Sequence, residues 1–256
     1  MSKISETFKK GKAFIPFITC GDPNLETSKK LIYALADAGA DIIELGIPFS
    51  DPTAEGIVIQ SANERALKTG VTTDKIFDML EDVKVETPLV FMTYANVLFS
   101  YGIERFVQKA VQLGISGVIL PDIPFEEKEE FESVCKAYKF DYISLIAPNS
   151  ESRINMIAKE AEGFVYCVSS LGVTGARNSI STNVEGMIKQ IKSVTKTPCA
   201  IGFGISTPEM AKEMSKIADG VIVGSAIVKM CEKYKEDCIT HIVQFVSECK
   251  RQIQEK

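Results

Sequence analysis

Residues 38–45, Ala-Gly-Ala-Asp-Ile-Ile-Glu-Leu, decide the fold of this chain. Gly39 ends an amphipathic helix, and a short apolar run follows it at once. Residues 113–118, Leu-Gly-Ile-Ser-Gly-Val, show the same pattern of a glycine followed by an apolar run. They come after a predicted helix whose apolar residues follow the i, i+3, i+4, i+7 rule. A repeated passage from helix through glycine to buried strand is typical of βα units.

Eight such apolar runs recur along the chain. Parallel strands that are covered on both faces read as nearly continuous apolar segments. The predicted strands are Phe14–Thr19, Asp41–Leu45, Leu89–Thr93, Gly117–Leu120, Tyr142–Ile146, Phe164–Val168, Cys199–Gly202 and Gly220–Val223.

The chain length favours a closed barrel. A (β/α)8 barrel needs about 250 residues, and the chain has 256. We therefore expect one TIM-barrel domain, residues 1–256, with an extra N-terminal helix. An open doubly wound sheet is the alternative, but the turn after the first strand reads Cys-Gly-Asp-Pro and lacks the GxGxxG of a dinucleotide-binding fold.

Composition and charge exclude several classes of protein. Hydrophobic residues make up 45% and charged residues 25%, as in a globular protein. The formal charge of -5 argues against nucleic acid or an anionic membrane as the main partner. A polar start and the lack of a long apolar run indicate the cytoplasm. The seven cysteines include no CxxC pair, so we expect reduced thiols and no structural zinc.

Polar residues at the strand ends define the available chemistry, because barrel enzymes place their active sites there. No lysine lies at a predicted strand end, which disfavours a Schiff-base aldolase. The single histidine, His241, falls in the C-terminal helix, which excludes a histidine base or a histidine-rich metal site at the barrel mouth. Carboxylates and a tyrosine remain, and no metal is predicted.

Glu44 and Glu55 are the candidate acid–base groups. Glu44 lies inside an apolar strand, where its side chain must face the barrel mouth or be buried, and burial would raise its pKa. A structural glutamate paired with a neighbouring donor is the alternative. Glu55, in the loop that follows, can reach the same mouth, or it can be a solvated loop acid.

Two glycine turns predict a phosphate site. Gly202-Phe203-Gly204-Ile205-Ser206 follows the seventh predicted strand, and Gly224-Ser225 follows the eighth. Backbone N–H groups at such turns bind phosphate without a lysine, although turn geometry alone can also explain the glycines. The long loop at residues 169–178 is predicted to close over a substrate, or else to be a flexible connection.

These stretches carry a resemblance to the tryptophan synthase alpha subunit family. The most specific match is Glu44-Leu-Gly-Ile-Pro-Phe-Ser-Asp-Pro-Thr-Ala-Glu-Gly56. Others, in chain order, are Phe17–Pro23, Tyr94–Asn96, Pro121–Pro124, Gly172–Gly175, Gly202–Ile205 and Gly224–Val228. The resemblance thus covers essentially the whole chain.

The resemblance implies a lyase that cleaves indole-3-glycerol phosphate to indole and glyceraldehyde 3-phosphate by a retro-aldol reaction in tryptophan biosynthesis. It implies no cofactor in this chain and a partner beta subunit that carries pyridoxal phosphate, in an allosterically coupled alpha2-beta2 heterotetramer. It makes Glu44 the main acid–base group, with Tyr166 beside it. Glu55 stands where the family usually has an aspartate that holds the indole N–H, and Ser170 stands where many relatives have an arginine.

The same resemblance assigns the remaining site residues. Phe17 is expected to flank the indole. Substrate-binding positions, mainly for the phosphate, are expected at Thr174, Gly175, Phe203, Gly204, Gly224 and Ser225. The partner is expected to dock on Asp51, Pro52 and Asn96.

Two other functions remain open from the residues themselves. Phosphate-binding barrels host many chemistries, so an isomerase or epimerase acting on another sugar phosphate is one alternative. The other is a chain that acts mainly as an allosteric binding subunit.

Overall fold

The structure, a computed structural model, describes residues 2–150, 152–169, 177–202 and 204–255. Within these ranges one sheet contains nine strands, and all neighbouring strands are parallel. The strands are β1 Ala13–Thr19, β2 Ile43–Gly46, β3 Leu89–Met92, β4 Ile115–Ile119, β5 Asp141–Tyr142, β6 Leu145–Ile146, β7 Val165–Val168, β8 Cys199–Gly202 and β9 Gly220–Val223. Their order is β5-β4-β3-β2-β1-β9-β8-β7-β6.

The two end strands of this sheet, β5 and β6, are two parts of one predicted strand. β5 pairs with β4, and β6 pairs with β7. Between them, Ile143 N donates to Val118 O at 2.9 Å, and Ser144 O accepts from Tyr166 N at 2.9 Å. The sheet therefore closes on itself through residues 141–146. The predicted (β/α)8 barrel is confirmed, with its fifth strand divided where it changes partner.

Helices surround the barrel. They are α1 Lys3–Thr7, α2 Leu25–Asp37, α3 Ile57–Lys68, α4 Thr73–Glu81, α5 Ala95–Tyr101, α6 Ile103–Gln112, α7 Glu129–Ala137, α8 Ile154–Glu160, α9 Arg177–Val194, α10 Pro208–Ile217, α11 Ser225–Tyr234 and α12 Cys238–Gln254. The glycines predicted to end α2 and α6, Gly39 and Gly114, have φ values of +94° and +80°, a conformation that glycine adopts without strain. No helix in the described part of the chain is long and apolar enough to cross a membrane.

Two apolar clusters form the core. The larger lies between the strands and the helices, and the smaller fills the barrel interior. The N-terminal helix α1 belongs to the smaller one through the fully buried Ile4. Just after α1, Phe8 packs its ring on Phe164, just before β7, with 5.8 Å between the centroids. The extra N-terminal helix therefore covers the end of the barrel where the strands begin.

A partly buried ion pair fixes α3 against its neighbours. Asp22, only 2% exposed, accepts from Arg65 through both oxygens, at 2.9 Å from Nε and 2.8 Å from Nη2. Nη1 of Arg65 also reaches Glu232 of α11 at 3.1 Å. Fork-shaped pairing of this kind restricts orientation as well as distance. Asp22 is thus a structural residue of the β1–α2 turn.

The variant Gly117→Ala tests whether the barrel closes through the contact of β4 with β5. A Cβ at Gly117 in β4 would lie 2.6 Å from the carbonyl oxygen of Asp141 in β5, so Gly117→Ala must separate these strands. We expect a loss of about 1–3 kcal/mol in the free energy of unfolding, measured with urea. Gly186→Ala is the control, because its Cβ meets no atom within 4 Å on the helix α9. It should add about 0.5–1 kcal/mol. Equal stabilities of the two variants would contradict the closure described above.

Candidate active site

Glu44 points into the barrel. Its neighbours along β2, Ile43 and Leu45, belong to the cluster between strands and helices. Side chains alternate along a strand, so Glu44 faces the interior, level with Phe17 of β1 and Val90 of β3. Its side chain is fully buried.

The Glu44 carboxyl has no hydrogen-bond partner among the described residues, for either oxygen. Burial, and secondly the charge of Glu55, raise its pKa from 4.5 to about 8. An isolated carboxylate in such a place is costly, and the group keeps its proton instead. Glu44 is therefore a neutral acid at pH 7, and the alternative of a structural glutamate paired with a nearby donor is not supported.

Glu55 has a different environment. Its Oε2 accepts from Nδ2 of Asn63 at 2.8 Å, and its main-chain oxygen accepts from Nε2 of Gln60 at 2.7 Å. Burial raises its pKa to about 7, while the Asn63 hydrogen bond acts to lower it. Glu55 therefore ionises before Glu44, which then titrates next to an existing negative charge.

Aromatic rings line the interior beside these carboxyls, and glycines make room for them. Tyr166 of β7 is buried, and a Cβ at Gly202 would lie 2.5 Å from its hydroxyl. Phe17 lies against Gly46 in the same way, with a Cβ there 2.5 Å from its Cζ. Burial, followed by the charges of Glu44 and Glu55, raises the pKa of Tyr166, so its phenol stays neutral.

The two glycine turns differ in their relation to a helix. Gly224 directly precedes α11 and has no side-chain cap, so the first N–H groups of α11 are open to a ligand. Ser225, the first residue of α11, is exposed. Gly204 has φ +76° and lies four residues before α10, whose N-terminus Thr207 already caps by accepting from Met210 N. The turn after β9 is the better anion site.

Other predicted positions lie outside the described residues or at the surface. Thr174, Gly175 and Phe203 fall outside the described ranges, as does Ser170. Asp51 and Asn96 are exposed and Pro52 is half-buried. The Asp51 loop is attached to the end of β3, because Ala54 N donates to the Tyr94 hydroxyl at 3.1 Å.

Sequence reasoning missed Asn63 and did not find the partner of Asp122. Asp122 accepts from Ala95 N through both oxygens at 3.1 Å, so it caps α5 and not the helix that follows it in the chain. Asn63 was detectable as a polar residue on the α3 face that buries Ala62 and Ala66.

A wide cleft of about 1160 Å³ lies elsewhere, at the end of the barrel where the strands begin. Its lining includes Phe8, Asp141 and Asp219. Barrel enzymes carry their chemistry at the opposite end, where the two carboxyls lie. Among the described residues no group of histidine, cysteine, aspartate and glutamate could hold a metal ion.

Comparison with known proteins identifies the family of the chain. The family model described as Tryptophan synthase alpha chain matches residues 4–255. The chain belongs to this family. It is 47% identical over 250 residues to the tryptophan synthase alpha chain of Lacticaseibacillus casei, covering 97% of this chain and 94% of the relative. It is 49% identical over 240 residues to that of Petrotoga mobilis, with 93% of each chain covered.

A solved structure of a tryptophan synthase alpha subunit, from Legionella pneumophila, superposes with a TM-score of 0.89 at 37% identity and covers 99% of this chain and 98% of its own. As a tryptophan synthase alpha chain, the protein is a lyase that cleaves indole-3-glycerol phosphate to indole and glyceraldehyde 3-phosphate in L-tryptophan biosynthesis. An isomerase or epimerase is therefore not needed to explain the site.

The neutral Glu44 has a measurable cost in stability. Its folded pKa of about 8 exceeds the 4.5 of an exposed glutamate, so the native state binds more protons than the unfolded state between these values. Stability must therefore fall as pH rises through this window. The free energy of unfolding of Glu44→Gln should lack this decrease. Relative to the wild type it should therefore rise by about 3–5 kcal/mol between pH 4.5 and pH 8, at about 1.4 kcal/mol per pKa unit. Parallel urea-unfolding profiles of the two proteins over this range would contradict the assignment.

Proposed function

We propose that Glu44 moves both protons of the retro-aldol cleavage. In its neutral form it protonates the indole carbon that bears the glycerol phosphate chain. The resulting carboxylate then accepts the proton of the adjacent hydroxyl. That oxygen forms the aldehyde carbonyl, the carbon–carbon bond breaks, and its electron pair returns to the ring as neutral indole. Glu44 ends the cycle protonated, and its burial without a partner is the observation that carries this proposal.

Glu55 supplies the negative charge. Protonation of the indole carbon places positive charge on the ring nitrogen, and an anionic carboxylate that accepts the N–H stabilises it. Glu55 is only half-buried and accepts a hydrogen bond from Asn63, whereas Glu44 is fully buried without a partner among the described residues, and this contrast supports the division of roles. Two carboxyls with separated pKa values are typical of acid–base sites.

Tyr166 and Phe17 shape the indole site. Both belong to the interior cluster that surrounds Glu44. We assign Tyr166 as the catalytic residue beside the two carboxyls and Phe17 as a flank of the indole ring. The phosphate binds the turn at Gly224 and Ser225, together with Gly204. Thr174, Gly175 and Phe203 join them on the strength of the family match.

The chain acts as a single barrel domain and docks on a tryptophan synthase beta subunit. Asp51, Pro52 and Asn96 form the docking surface. The exposure of Asp51 and Asn96, and the attachment of the loop to the end of β3 through Tyr94, support this assignment. The complex is an alpha2-beta2 heterotetramer in the cytoplasm, the pyridoxal phosphate belongs to the partner, and docking couples the two activities allosterically.

Catalysis and phosphate binding can be separated by two variants. We expect Glu44→Gln to fold normally and to lose at least about 10²-fold in kcat for indole release, because an amide cannot shuttle the proton. Ser225→Asp should instead raise KM about tenfold or more with kcat largely kept, since it places a negative charge beside the phosphate. The measurement is steady-state indole formation from indole-3-glycerol phosphate. Retained activity in Glu44→Gln would refute the role of Glu44.

The docking surface is tested by charge reversal. We expect Asp51→Lys combined with Asn96→Lys to lower the affinity for the beta subunit at least about tenfold, because like charges and desolvated lysines disfavour the interface. Titration calorimetry measures the affinity, and indole release by the isolated variant is the control that should stay at the wild-type level. Unchanged affinity would place the docking surface elsewhere.

A further inference from the structure

Asn63 is the one polar residue on the buried face of α3, whose other buried residues are Ala62 and Ala66. It is only 3% exposed. Burying an amide is unfavourable unless its polar atoms find partners. The position of Asn63 therefore depends on what its amide bonds.

That partner is Glu55. Nδ2 of Asn63 lies 2.8 Å from Oε2 of Glu55, and one turn earlier Gln60 holds the main-chain oxygen of the same residue at 2.7 Å. Both contacts come from α3, which the bidentate pair between Arg65 and Asp22 fixes in place. Glu55 lies in a loop, but a rigid helix holds both its side chain and its backbone.

We propose that Asn63 is a positioning residue for the lyase reaction. By binding Oε2 of Glu55, it directs Oε1 toward the indole N–H and keeps Glu55 as the anionic member of the carboxyl pair. This inference rests on the proposed role of Glu55. It gives Asn63 a function without contact to the substrate.

An amide suits this task because it donates a hydrogen bond and does not titrate. Donation to a carboxylate favours its ionised form, and the Asn63 hydrogen bond lowers the pKa of Glu55 against the effect of burial. Glu44 has no such donor among the described residues. Glu44 is fully buried and Glu55 only half-buried, and the Asn63 amide adds to this difference by favouring the ionised form of Glu55.

The titratable groups facing Glu55 in the described part of the chain are Glu44, Tyr94 and Tyr166. Burial is the main cause that raises the pKa of all three, and the charge of Glu55 adds to it. The two tyrosines therefore stay neutral around pH 7. The low-pH limb of the activity profile then reports the ionisation of Glu55, and the high-pH limb reports loss of the Glu44 proton.

The first test replaces Asn63 by leucine, which has a similar volume and no donor. We expect kcat/KM for indole release to fall about tenfold at pH 7, and the low-pH limb of the profile to move upward by at least about 0.5 pH unit. Glu64→Gln, an exposed change on the same helix, is the matched control and should keep the wild-type profile. A profile of Asn63→Leu that coincides with this control overturns the proposal.

A second test covers the case in which Asn63→Leu does not fold. Glu55→Asp and Asn63→Gln move one methylene from the carboxyl to the amide, so the double variant preserves the combined length of the pair. We expect the double variant to exceed Glu55→Asp in kcat/KM by about fivefold or more, because the two side chains act as a unit. If the double variant shows only the product of the two single effects on kcat/KM, the proposal is overturned.

One further variant separates this inference from the proposed function. If Glu55→Gln keeps full activity, the proposed role of Glu55 fails, and the role of Asn63 fails with it. If Glu55→Gln is inactive while Asn63→Leu shows the control profile and the length exchange gives no recovery, only the role of Asn63 fails.

Discussion

The structure depends on one constraint, the burial of the Glu44 carboxyl inside a closed sheet without a hydrogen-bond partner among the described residues. No donor among the described residues stabilises the carboxylate, and burial raises its pKa, so the group holds its proton at neutral pH. In the proposed mechanism, that proton is the reagent of the lyase reaction. The same burial makes the native state less stable at high pH, and catalysis and stability are therefore opposed at this residue.

Other parts of the barrel determine the surroundings of the two carboxyls. Closure of the sheet through residues 141–146 gives Glu44 a continuous wall. Gly46 and Gly202 leave the space that Phe17 and Tyr166 occupy beside the neighbouring strands. The helix α3 gives the second carboxyl its amide donor. Glu44 and Glu55 thus differ in how readily they ionise because β2 buries one side chain and α3 supplies a hydrogen-bond donor to the other.

Much of the fold could be predicted from the sequence because its signals are local. The strands Cys199–Gly202 and Gly220–Val223 have the predicted bounds, and Gly39 and Gly114 end helices as expected. The division of the fifth strand could not be predicted, because it reflects two hydrogen-bonding partners on opposite sides. Local sequence does not specify which strand each half will meet.

The candidate site shows the same limit. Glu44 was recognisable because a charge interrupts an apolar strand, and its raised pKa follows from that position. The hydrogen-bond partners of Asp22, Asp122 and Glu55 were not recognisable, because the packing of helices determines each of them. These partners are Arg65 of α3 for Asp22, Ala95 N of α5 for Asp122, and Asn63 of α3 for Glu55. The residue type at a strand end does not distinguish a structural from a catalytic role, and the contacts of the side chain decide between them.

The most direct test of the account is a site-resolved titration of Glu44. Carbon-13 NMR of protein labelled at the glutamate side-chain carboxyl, with Glu44→Gln to assign the resonance, reports its protonation without reference to activity. We predict that Glu44 remains protonated at pH 7 and titrates near pH 8. Titration near 4.5, the value of an exposed glutamate, would contradict it.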